Sequence, residues 1–279
     1  MGAAMAGHAV NKGFEVAVFD TDPTAMARAE AVGASAVASV AAVVAAAEVI
    51  VIMVARDDQT RAVVGQILAA SPDAGTVIVV AATNHPRTMI ELAADCRAAG
   101  IGFVDAPVCY GLQGALKGEL ISLCGGNDAD IAKVRPLLMS YSRSVEHMGP
   151  TGSGQIGKTC NNMMHWAACV ANYETLALAR SCGIDAQAMR ETLLKCPARN
   201  TTLERWDTSK FTWHEKDMDV ALDIAQTVGL PLPLFGLVDQ LVKRLGPDDV
   251  KALLHGDGAR YLGLPITDGD LAVLMASSR

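Results

Sequence analysis

Two uninterrupted apolar runs most constrain the fold of this chain. They are "VIVIMV" at 49–54 and "TVIVVA" at 76–81, and a helix-patterned stretch follows each. Strands that are apolar on both faces belong to a parallel sheet covered by helices on both sides. Further strand-like runs are "FEVAVF", "IGFVDAPV", "LISLCG" and "SVEHMG". Helices are expected from Pro23 to Ala31, from about Asp58 to Ala70, and from about Pro86 to Ala99. Asp22 stands as N-cap of the first and Pro23 at its first position. Gly33 and Gly100 stand just past helix ends. The Ala-rich segment before Val49 reads as another helix. Strand–helix alternation of this kind specifies an α/β, Rossmann-like, doubly wound and mostly parallel sheet over residues 1–150.

The pattern changes between Gly149 and Gly152. Ser153 to Cys182 contains no proline and has glycine only near its start. It reads as one helix of roughly 45 Å, the wall between two domains. Helices are expected at about Asp185 to Lys195, His214 to Val228 and Leu234 to Leu245. Residues 151–279 therefore read as an all-helical domain.

Composition narrows the function. The chain is 51% hydrophobic but only 4% aromatic, and its formal charge is −7 with scattered basic residues. No basic stripe suits nucleic acid. The apolar run over Val37 to Ala55 is broken by Ser39 and Glu48 and divides into a helix and a strand, so no membrane span is expected. The seven cysteines lack CxxC or zinc-like spacing. They read as reduced, buried thiols of a cytoplasmic protein, and no histidine is assigned to a metal.

Three stretches carry chemistry. "GSGQIGKTCNNMMHW" puts Lys158 and Asn162 four residues apart, one above the other on a helix. A solvated lysine is the commoner case, but the apolar neighbours Met163, Met164 and Trp166 suit a buried helix. "DAPVCYGLQGALKGEL" follows a buried strand, and its glycines Gly111, Gly114 and Gly118 suit either close backbone approach to a ligand or a hairpin. "HEKDMDVALD" places Lys216, Asp219 and Asp223 on one helix face with Asp217 beside them, the pattern of a solvated charged face. Asp20 ends a strand, where an acid can hold ribose hydroxyls or simply cap a turn.

Together these motifs resemble the β-hydroxyacid dehydrogenase family, which includes 3-hydroxyisobutyrate dehydrogenase and tartronate semialdehyde reductase. The family motif DAPVSGG appears as Asp105 to Gly111, followed by Gly114-Ala115. GxGxxxKxxxN appears as Gly152, Gly154, Lys158 and Asn162, and the C-terminal KD pair as Lys216-Asp217. The resemblance implies a hydride transfer between NAD and a small 3-hydroxy acid or its semialdehyde. By it, Lys158 is the general acid/base and Asn162 orients the substrate hydroxyl. Lys216 lies beside the nicotinamide ribose and substrate, and Cys109, Tyr110 and Gly111 stand where the family holds the substrate carboxylate. Val54, Ala55, Gln59 and Thr83 occupy cofactor-side positions. Cys109-Tyr110 replaces Ser-Gly, which weakens one donor and adds a phenol. The resemblance implies that the helical domain, 151–279, is a substrate and oligomerisation domain, and a homodimer or homotetramer is expected. A non-catalytic dinucleotide-binding or scaffold protein is the alternative, and an imine or ketone reductase a weaker one. Phosphogluconate chemistry is disfavoured because no basic cluster flanks the Lys158 stretch.

The opening "MGAAMAGHAV" resembles the helix that closes the family's N-terminal GxGxMG fingerprint. Met1 and Gly2 align with its final Met-Gly, and an α-helix N-terminus there receives a pyrophosphate. By this alignment the first strand and first two glycines are absent, and the native start is expected about ten residues upstream.

Overall fold

The computed structural model describes residues 1–270, which fall into two compact units, Met1–Lys158 and Thr159 onward. The N-terminal unit opens with α1 (Gly2–Asn11), β1 (Ala17–Val18), α2 (Pro23–Glu30) and β2 (Ser35–Ala36). Next come α3 (Val40–Ala46), β3 (Val49–Ile52), α4 (Asp57–Ala69), β4 (Val77–Val80) and α5 (Pro86–Ala98). It continues through β5 (Gly102–Asp105), β6 (Val108–Cys109), α6 (Gly111–Lys117), β7 (Leu120–Gly125), α7 (Asp128–Tyr141) and β8 (Ser142–Gly149). The alternation read from the sequence is therefore present. The caps fall where expected: the Asp22 carboxylate accepts from Thr24 N–H, and Gly33 and Gly100 take positive φ.

The main sheet runs β3-β4-β5-β7-β6, with β8 beside β7. β3, β4 and β5 are parallel, in register through Val49–Val77 and Val77–Gly102. All four residues of β4 are buried, which accounts for its unbroken apolar sequence. The β7 strand runs antiparallel to β5 and β6. Met89, Val64 and Ile67 cover one sheet face; Val134, Leu138 and Met5 cover the other. β1 and β2 form a separate parallel pair, with Ala17 opposite Ser35.

Several sequence expectations shift. "FEVAVF" yields only Ala17–Val18, because β1 is hydrogen-bonded to β2 alone and Phe14 and Phe19 remain exposed. "IGFVDAPV" splits at Pro107, which has no N–H to give a ladder. The glycine-rich segment after Cys109 is neither open loop nor plain hairpin but the short helix α6. α7 follows β7 despite Pro136 within it; Asn127 caps it by accepting from Asp130 N–H.

The long helix is α8 (Ser153–Ser181). Beyond it lie α9 (Ala186–Leu193), α10 (Thr201–Glu204), a 3₁₀ turn at Trp206–Thr208, α11 (His214–Thr227), α12 (Pro233–Val242) and α13 (Pro247–His255). Among the described residues this unit is helical except for a hairpin, β9 (Arg260–Tyr261) with β10 (Leu264–Pro265), which departs from the all-helical expectation. Its core joins Trp166, Tyr173 and Leu176 of α8 to Trp206, Met218, Val242 and Leu253. Two arginines close helix ends. Arg190 donates to the carbonyls of Leu203 and Glu204, and Arg180 to those of Ala252 and Leu253 at the end of α13. All seven cysteines are unpaired. Four are buried, but Cys160 is exposed and Cys182 and Cys196 are half-buried, which corrects the expectation that all are interior. No helix among the described residues is long and apolar enough to cross a membrane.

Leu138 is fully buried under the sheet, where truncation leaves a cavity as well as losing transfer energy. Leu138→Ala is expected to cost about 2–5 kcal/mol, read as a lower urea midpoint with unchanged m-value.

Candidate active site

The geometry begins with a buried carboxylate. Asp105 ends β5 with no solvent exposure, and its two oxygens accept from Gly152 N–H at 2.7 Å and Gln155 N–H at 2.9 Å. These donors belong to the turn before α8 and to its first turn, where N–H groups lack helical partners. The carboxylate therefore caps α8 at its positive end. Burial pushes the Asp105 carboxyl up to about 6, outweighing the backbone N–H groups that favour its charge.

The glycines around it are steric requirements. A Cβ on Gly125 would lie 2.5 Å from Asp105 Oδ1 and 2.8 Å from the Pro150 carbonyl. A Cβ on Gly154 would run into the Leu123 carbonyl and sit 2.8 Å from Asp105 Oδ2. The second glycine of GxGxxxK thus lets α8 dock onto β5 and β7.

With the helix start fixed, Lys158 follows one turn after Gln155. It is half-buried and its Nζ lies 3.9 Å from Cys109 Sγ, at the end of β6. The structure thereby joins two motifs separated by 49 positions. Tyr110 follows in the left-handed region, at φ 82°, before Gly111 opens α6 at φ 57°. A non-glycine residue there stores about 1–3 kcal/mol of strain. Gly114 makes room for it, since a Cβ there would lie 2.5 Å from Tyr110 Cβ. The Arg143 guanidinium stands 4.4 Å over the Tyr110 ring, a cation–π contact from β8.

The expected cofactor-side residues are more dispersed. Met1 and Gly2 begin α1, and no side chain caps that end. Asp20 is exposed just after β1, and its Oδ1 accepts from Asp22 N–H. Val54 and Ala55 follow β3. Gln59 Oε1 accepts from Ala55 and Arg56 N–H, so this side chain shapes the β3–α4 turn. Thr83 lies between β4 and α5. Uncapped helix N–H groups, an exposed acid after β1 and turns at the carboxyl ends of β3 and β4 together fit a dinucleotide.

Asn162 lies one turn beyond Lys158 along α8, buried, and its Oδ1 accepts from Asn161 Nδ2. Lys216 stands on α11 of the C-terminal unit, its Nζ 6.0 Å from the Trp213 ring centre. Its neighbour Asp217 is not merely part of a solvated face: its Oδ2 accepts from Trp166 Nε1 at 3.0 Å. Sequence reasoning missed the roles of Asp105, Gln155, Asn84 and Arg143. The available signal was an acid at the end of a fully apolar strand, a residue type that needs buried partners.

Residues 1–149 match the NAD binding domain of 6-phosphogluconate dehydrogenase, and residues 152–255 match the family described as NAD-binding of NADP-dependent 3-hydroxyisobutyrate dehydrogenase. The chain belongs to the β-hydroxyacid dehydrogenase family. An NAD-dependent L-serine dehydrogenase of Pseudomonas aeruginosa is 31% identical over 208 residues, 73% of this chain and 69% of that one. A 2-(hydroxymethyl)glutarate dehydrogenase of Eubacterium barkeri is 28% identical over 274 residues, 91% of this chain and 90% of that one. The fold matches a structure of Mycobacterium tuberculosis 3-hydroxyisobutyrate dehydrogenase with L-serine. Its TM-score is 0.79 at 25% identity, covering 100% of this chain and 96% of that one. As a β-hydroxyacid dehydrogenase, the protein is an oxidoreductase of hydroxy acids with a nicotinamide dinucleotide as cofactor.

The raised Asp105 carboxyl has a measurable consequence. Between its ordinary 3.8 and about 6, the folded chain holds a proton that the unfolded chain has released. Stability from this group is full below that window and falls as pH rises through it. The stability of wild type relative to Asp105→Asn is expected to decline from pH 4 to 6 by about 2 kcal/mol. Urea unfolding of both proteins across that range checks it; a flat difference contradicts it.

Proposed function

We propose that this protein is an NAD-dependent dehydrogenase of a small 3-hydroxy acid or its semialdehyde, with Lys158 as general acid/base. The observation that carries this is the placement of Lys158 Nζ beside Cys109, with the lysine's helix seated on Asp105. The names of the relatives agree with the substrate class: L-serine and 2-(hydroxymethyl)glutarate both carry a hydroxyl β to a carboxylate.

When bound, the nicotinamide ring gives or takes the hydride at the carbon bearing the reacting oxygen. The chain's own residues manage the rest. In reduction the Lys158 ammonium donates a proton to that oxygen; in oxidation the neutral amine accepts the hydroxyl proton. Asn162 orients the hydroxyl through its amide, and Lys216 serves the nicotinamide ribose and substrate. Cys109, Tyr110 and Gly111 receive the substrate carboxylate. A thiol replaces the family's serine hydroxyl there, so backbone N–H groups and the Tyr110 phenol bear more of the binding. Met1 and Gly2 at the N-terminus of α1 face the pyrophosphate. Asp20 accepts from ribose hydroxyls and repels a 2′-phosphate, which selects NAD over NADP. Val54, Ala55, Gln59 and Thr83 line the cofactor. We place the enzyme in the cytoplasm as a homodimer or homotetramer, with 1–150 binding dinucleotide and 151–279 completing the substrate site and subunit contacts.

Lys158→Ala is expected to lower kcat by about 10²–10⁴-fold while NAD affinity changes less than about threefold, measured by hydride-transfer absorbance and by titration; unaltered turnover refutes the assignment. Wild type should prefer NAD to NADP in kcat/KM, and Asp20→Ala should erode that preference.

A further inference from the structure

Gln155 does more than donate its N–H to Asp105. Its side chain is fully buried and brackets the turn after β4 on both sides of Thr83. Oε1 accepts from Asn84 N–H at 2.9 Å, and Nε2 donates to the Ala82 carbonyl at 2.9 Å. A glutamine that engages both groups flanking one residue fixes that residue's backbone. The bracket extends further. Asn84, also fully buried, donates through Nδ2 to Asp57 Oδ1 at 2.9 Å, and its Oδ1 accepts from the Thr60 hydroxyl at 3.1 Å. Asp57 Oδ2 accepts from His85 N–H at 3.0 Å. The first turns of α4, α5 and α8 are therefore wired through one buried polar network. Such a network is rigid when its members are satisfied.

Its position gives it a use. The turns after β3 and β4 lie at the carboxyl ends of parallel strands, where open α/β sheets bind ligands. Lys158 lies three residues after Gln155, on the same face of α8. We infer that Gln155 is a positioning residue that locks the dinucleotide-side turn at Thr83 in register with Lys158. This rests on the dehydrogenase reading above. Hydride and proton reach adjacent atoms of one substrate, and a displacement of about 1 Å between the two sources costs about 10²-fold in rate. Gln155 ties the two sources to one side chain.

The test uses Gln155→Met, which keeps length and removes both bonds, and Gln155→Glu. The glutamate retains the acceptor toward Asn84 N–H. Only its protonated form donates to the Ala82 carbonyl; its ionised form repels that oxygen. Charged or titratable groups near it include Asp105 of β5, Asp57 of α4, His85 before α5 and Lys158 one turn on along α8, common to wild type and variants. Gln155→Met is expected to lower kcat at least tenfold and raise the NAD dissociation constant by about tenfold, at every pH. For Gln155→Glu the ratio of kcat to wild type should climb as pH falls from 7 to 5. Thr60→Val, which cuts the far arm of the network, should give a smaller loss of the same kind and covers a failure of Gln155→Met to fold. Lowered melting temperature with wild-type kcat and NAD affinity in the folded variants overturns the inference, as does a pH-independent Gln155→Glu ratio. The Lys158→Ala result reports separately on the dehydrogenase reading: a Lys158-dependent turnover with no Gln155 effect rejects the positioning role alone.

Discussion

The N-terminal unit depends on one buried carboxylate meeting one helix start. A desolvated Asp105 is costly unless hydrogen-bonded, and the orphan N–H groups at the start of α8 are costly unless capped. The carboxyl satisfies the helix start, and the N–H groups offset part, though not all, of its desolvation. The join also explains residues that have no chemistry of their own: Gly125 and Gly154 are small because the carboxylate and the Leu123 carbonyl occupy the space a Cβ would take. Lys158 inherits its place from this seat rather than from contacts at its own ammonium.

Much of this was legible in the sequence. The parallel strands announced themselves because β3 and β4 are sandwiched and nearly every residue must be apolar. Capped helices such as α2 and α5 were readable because proline and glycine punctuate them. Lys158 and Asn162 were readable as neighbours along one helix from their spacing, and the approach of Lys158 to Cys109 from family-like motifs. α6 was hidden by its glycines, which suit close packing against Tyr110 but are poor helix formers. α7 was hidden by Pro136, whose local cost is outweighed by the burial of Ile131, Val134 and Leu138. The Gln155 bracket could not be read at all, since its partners are backbone groups 71 and 73 positions away and carry no side-chain signature.

The network also shows how polar groups enter an apolar core without weakening it. Thr60, Asn84 and Gln155 are all fully buried, yet each meets a named partner. An aliphatic substitute at any of the three would take a partner from a backbone group, the Asp57 carboxylate or the Asn84 amide oxygen, the expensive outcome for a buried hydrogen bond. In the C-terminal unit Arg190 solves the same problem differently, spending one guanidinium on two helix-end carbonyls and Asp207.

Tyr110 carries a different lesson. A side chain in left-handed backbone is a standing load of about 1–3 kcal/mol, and a cation–π contact at an exposed site returns only about 0.5–1 kcal/mol. Glycine takes φ 82° freely, so Tyr110→Gly would remove that load together with the ring's contact to Arg143. A tyrosine there therefore gives up backbone ease for a ring held under the Arg143 guanidinium.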